Sequence, residues 1–150
     1  MLDRTTSNDI LHEKKLFRHG GRFMLKILLH TGAVINLVMA FFHMSFWKLL
    51  NWSTELPRLS DENSGVFQIA NIVLIYVLLY FAVMSYHISR SDSLDFNGTS
   101  ILVCIMGFYL IRILAGMFFF GFILEELVVW VICLLIVVLY GIVIYLHKKT

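Results

Sequence analysis

Residues 101–122 read ILVCIMGFYLIRILAGMFFFGF, and Arg112 is the one charged side chain in the run. At 1.5 Å per residue a helix of this length reaches about 33 Å, enough to cross a hydrocarbon core of about 30 Å. A guanidinium cannot shed its proton to escape the apolar phase. Placing one near a helix centre costs roughly 2.5–3.5 kcal/mol on insertion scales. Something in the folded protein, or in a partner, must offset that cost.

Three more apolar runs flank this one, predicting spans at about 23–46, 66–88, 99–122 and 123–146. They explain why the 150 residues are 59% hydrophobic and only 15% charged, with a mean hydropathy of +0.83. A soluble domain is typically about half apolar and a quarter charged. The fold expected is all-α, with four transmembrane helices in an up-down-up-down antiparallel bundle and no room for a second domain.

The charges orient it. Arg4, Lys14, Lys15, Arg18, Arg22, Lys26, Arg90, Lys148 and Lys149 fall on one side, against Lys48 and Arg58 on the other. The positive-inside rule then predicts both termini in the cytoplasm. Residues 1–21 read as a basic cytoplasmic segment: either a short amphipathic helix on the membrane surface, with Ser7-Asn8-Asp9 as its N-cap and a stop at Gly20-Gly21, or a solvated basic tail. A basic leader before an apolar run also resembles a signal peptide. The run is long for one and lacks an Ala-x-Ala-like site, so a retained helix is expected. Residues 148–150 form a short cytoplasmic tail.

The outer loop, 47–65, mixes leucines with polar residues and suits the bilayer surface. Trp47 and Trp52 are candidates for its interfacial aromatic belt. The partners expected are the lipid bilayer and other membrane proteins or a second copy of the chain. No nucleic-acid module is present.

Motifs for chemistry are sparse. The sequence has no phosphate loop, G-x-S-x-G elbow, Cys-x-x-Cys pair or zinc-ligand spacing. Cys104 and Cys133 lie at different depths, which argues against a disulfide. Bis-histidine haem ligation needs two imidazoles at one depth, and His30, His43 and His87 do not share one. His43 with Met117 is the one conceivable axial pair, so no cofactor is expected and haem or a quinone stays an alternative.

The polar residues inside the spans converge better. At 100° per residue, Gly32, Asn36, Met39, Ala40 and His43 share one face of the first span, as Gln68 and Asn71 do on the second. Ile105, Tyr109, Arg112 and Gly116 share a face of the third. Counting depth from the outer ends places Asn36 level with Arg112. This predicts an outward-opening cluster of Asn36, His43, Gln68, Asn71, Tyr109 and Arg112, with Glu125 or Glu126 above. The competing reading is structural. Intramembrane amides commonly bond neighbouring helices for roughly 0.6–2 kcal/mol each. An ion pair between Arg112 and a glutamate would then explain the arginine, and both glutamates suit a helix N-terminus.

The stretch His43, Trp47, Asn51-Trp52, Glu55-Leu56, Leu59, Asn63, Gln68 and Asn71, together with Arg112, resembles small uncharacterised four-helix proteins of bacterial inner membranes. The resemblance covers about the first half of the chain and implies the architecture but no chemistry. The expected function is therefore that of a non-enzymatic accessory or binding protein, in which Arg112 engages an anionic ligand group or a partner helix. A small redox or quinone-binding protein, with His43, Tyr109 and Arg112 around a headgroup, is the alternative. An oligomeric carrier or pore is the third reading.

Overall fold

The computed structural model describes residues 4–91 and 93–148, with side chains from residue 20 onward. Among these residues there is no strand. Helix α1 (Arg4–Met44) is followed by two single-turn helices, α2 (Phe46–Leu49) and α3 (Trp52–Glu55), and a 3-10 turn over Leu56–Arg58. Three long helices complete the chain: α4 (Asp61–Arg90), α5 (Phe96–Phe120) and α6 (Leu124–His147). Four segments, Gly20–Met44 and all of α4, α5 and α6, are long and apolar enough to span a membrane.

Local chemistry sets most boundaries. Ser60 Oγ accepts from Asn63 N–H at 3.3 Å, and Asp61 and Glu62 occupy the first turn of α4. Residues 61–65, expected in the outer loop, are therefore already helical. Asp95 Oδ1 accepts from Gly98 N–H at 2.7 Å and starts α5. That helix ends at Phe120, two residues earlier than expected, because Gly121 reverses the chain at φ 65°, a conformation that penalises any side chain.

Two expectations near the N-terminus are corrected. The helix runs through Gly20-Gly21 without a stop, and Ser7-Asn8-Asp9 lie within it. A helical glycine costs only about 1 kcal/mol against alanine. Two of them do not break a helix continued on both sides by favourable residues.

The long helices pack in a ring: α4 beside α1, α1 beside α6, α6 beside α5, with α5 meeting α4 most lightly. His30 meets Tyr86 while His43 meets Asn71, so α1 and α4 run in opposite directions. Phe81 against Phe108 and Ile88 near Gly98 do the same for α4 and α5. Arg112 with Glu126 and Met106 near Gly141 establish it for α5 and α6.

The core runs along the ring's axis through Leu29, Ala40, Leu78, Leu102, Ile105, Ile136 and Val143. Outward faces carry exposed Phe23, Val34, Val66, Ile69, Ile111, Phe118, Val131 and Leu134. An apolar exterior around a core with polar inclusions is the inverse of a soluble bundle.

Candidate functional site

The polar residues of the helices form three groupings rather than one cluster. The deepest takes one side chain from each long helix. Tyr109 Oη (α5) donates to Asn36 Oδ1 (α1) at 2.7 Å. Asn36 Nδ2 donates to Gly32 O at 2.8 Å and to Tyr140 Oη (α6) at 2.9 Å. Tyr140 Oη and Ser85 Oγ (α4) are 2.6 Å apart. Because Asn36 fills an acceptor site on Tyr140, the phenol proton is available to Ser85. All four residues are fully buried. Buried amides and phenols are expensive unless satisfied, and each here has a partner.

Gly32 makes this grouping possible. A Cβ on Gly32 would lie 2.6 Å from Tyr140 Oη and 2.7 Å from two ring carbons. The phenol lies over a residue that has no side chain.

The second grouping joins α1 to α4. His43 Nδ1 donates to Asn71 Oδ1 at 3.2 Å, and Asn71 Nδ2 donates to the His43 carbonyl at 3.1 Å. The carbonyl fixes the amide orientation, so the ring nitrogen facing Asn71 carries a proton. Phe46 packs on the His43 ring at 4.4 Å, and Trp52 follows Phe46 at 6.1 Å. Trp47 is exposed and meets Trp52 at 4.9 Å, but Trp52 itself is buried under its neighbours. Of the two expected belt residues, only Trp47 is presented outward.

The third grouping is the answer to the Arg112 problem. Arg112 Nη2 bonds Glu126 Oε1 at 2.9 Å and Nη1 bonds Glu126 Oε2 at 3.1 Å, a two-pronged pair between α5 and α6. The Arg112 side chain is 35% exposed and that of Glu126 9%. Glu126 lies in the first turn of α6, where the helix dipole favours its charge.

Gly116, one turn beyond Arg112, is the floor of this grouping. A Cβ there would lie 2.6 Å from Glu126 Oε2, 2.7 Å from Arg112 Nη1 and 2.7 Å from Trp130 Nε1. Trp130 Nε1 has no hydrogen-bond partner, the one such buried side-chain atom among the described residues. Its ring is held edge-on by Phe122 at 5.3 Å.

No family model, curated protein or solved structure matches this chain.

Six of the eight candidate positions fall within these groupings, but not as one cluster, and Gln68 and Glu125 lie outside them. Asn36 is a partner of Tyr109 and Tyr140, not a neighbour bonded to Arg112. His43 and Asn71 pair with each other. Gln68 bonds Ser64 Oγ at 3.2 Å and the Ser64 carbonyl at 3.3 Å on its own helix, outside all three groupings. Glu126 takes the arginine, while neighbouring Glu125 is exposed, since consecutive helical residues point about 100° apart.

Sequence reasoning missed Ser85, Tyr140 and Trp130. Ser85 could have been found, because it continues the inward row of Leu78 and Ala82. Tyr140 and Trp130 sit in an almost uniformly apolar span and carry no such signal. Cys104 is exposed and Cys133 buried, both free, and no group of three His, Cys, Asp or Glu side chains among the described residues could hold a metal.

Proposed function

We propose that this chain is a multi-pass bacterial inner-membrane protein with both termini in the cytoplasm. It acts there as a non-enzymatic accessory or binding protein, in which the outer-half polar residues around Arg112 engage an anionic group of a ligand or of a partner helix. The observation that carries this reading is the state of Arg112. It shares the inward face of α5 with buried Ile105, Tyr109 and Gly116, about 12 Å of helix from Phe120, yet a third of its side chain is open. Glu126 uses two of its five N–H donors. The donors that Glu126 leaves unused and the exposed third of the side chain support a role for Arg112 in binding.

The orientation rests on the basic residues in the N-terminal half of α1, on Arg90 at the end of α4 and on the lysines that follow α6, and the antiparallel helix pairs are compatible with an up-down-up-down crossing. The bilayer is the partner for the exposed apolar faces, and Trp47 lies at its outer interface.

The test extracts the full chain in a mild detergent and identifies what co-purifies by mass spectrometry. The comparison is Arg112→Met combined with Glu126→Gln, which removes both charges without stranding either. The expected result is a folded protein that has lost the species bound to the native chain. If the double variant retains the same bound species, the reading is wrong.

A further inference from the structure

An arginine already held by an internal carboxylate faces a difficulty as a binding group. Two anions on one guanidinium repel each other, and in a low-dielectric interior that repulsion is barely screened. If the incoming group takes Arg112, Glu126 is left as a buried charge without a counter-ion, among the most unfavourable arrangements a protein interior can hold. A donor placed to receive Glu126 would remove the difficulty.

Trp130 is so placed. Its Nε1 and Glu126 Oε2 both border the Cα of Gly116, at 2.7 and 2.6 Å from the position a Cβ would take. The indole N–H is buried and unbonded. It can only donate, and a carboxylate can only accept. Both residues are on α6 four positions apart, so they lie on one face and the carboxylate needs only a change of rotamer to reach the ring. Gly116 keeps the path open, because any side chain there would collide with all three groups.

We infer that Trp130 is the standby partner of Glu126: when an anionic group takes Arg112, the carboxylate passes from the guanidinium to the indole N–H. This rests on the binding function proposed above and adds its exchange step. Trp130 is a positioning residue that does not touch the ligand. It offsets the loss of the internal ion pair and so sets how tightly the anion binds.

The test uses the full chain with 15N-labelled tryptophan and arginine in phosphatidylcholine nanodiscs, titrated with dodecyl phosphate as the anionic probe. Trp130→Phe and Arg112→Lys assign the two side-chain signals. The expected result is a saturable shift of the Arg112 Nε–H signal, accompanied by a downfield shift of the Trp130 indole proton as it gains a charged acceptor. Glu126→Leu should abolish the indole shift, and Trp130→Phe should weaken probe binding about tenfold, the worth of one hydrogen bond to a charged group.

A saturable Arg112 shift with an unmoved Trp130 signal overturns the exchange step and leaves the binding function standing. So does equal probe affinity in Trp130→Phe. No saturable shift at either residue overturns the exchange step together with the reading of Arg112 as a site for a ligand's anionic group.

Discussion

Arg112 and Glu126 lie fourteen positions apart across the Gly121 reversal, and their side chains meet in a two-pronged ion pair at 2.9 and 3.1 Å. The arginine that no span could carry alone is neutralised by the first turn of the next helix. The tight α5–α6 connection therefore also delivers a counter-ion to the right depth. Removing one charge should be worse than removing both.

Arg112→Leu leaves Glu126 buried without its partner. Breaking a fully buried pair costs about 3–5 kcal/mol, and the partial exposure of Arg112 reduces the expectation to about 1–3 kcal/mol. Adding Glu126→Leu to Arg112→Leu should recover most of that loss. Thermal or denaturant unfolding in detergent measures it, and a double variant less stable than Arg112→Leu would contradict the pairing.

The Asn36–Tyr109 bond should appear as a coupling energy. A cycle of Asn36→Ala and Tyr109→Phe is expected to give about 0.6–1.7 kcal/mol, the range found for interhelical bonds in membranes. Strict additivity of the two changes would remove Asn36 from the centre of the network.

Gly32→Ala tests the close approach of Tyr140. The new methyl meets ring carbons as well as the hydroxyl, so the cost, about 1–3 kcal/mol, should persist when Tyr140→Phe is added. Tyr140→Leu, which vacates the plane of the ring, should relieve it. Relief by Tyr140→Phe would instead make the hydroxyl alone responsible.

Orientation is accessible to labelling in a background of Cys104→Ser and Cys133→Ala. Ser53→Cys in the loop between α1 and α4 should react with an impermeant maleimide from outside intact cells. Asn97→Cys, at the start of α5, should react only after the membrane is opened. Ser53 is preferred to its neighbour Asn51, whose left-handed backbone at φ 48° a cysteine would strain. The reverse pattern would invert the charge-based orientation.

Hydrophobicity and charge are properties of residue order, so the sequence by itself determined four long apolar helices, their approximate limits, and an arginine needing an offset. Periodicity placed Asn36, Tyr109, Arg112 and Gly116 on inward faces correctly, because a helix converts spacing into direction without reference to its neighbours. Partners are different: they depend on how helices rotate and slide against each other, which a single helix cannot encode. Only the tertiary structure divided one expected cluster into three, chose Glu126 over exposed Glu125, and turned Gln68 back onto Ser64. It also brought Ser85 and Tyr140 to Asn36, and left the Trp130 indole beside a carboxylate that another residue holds.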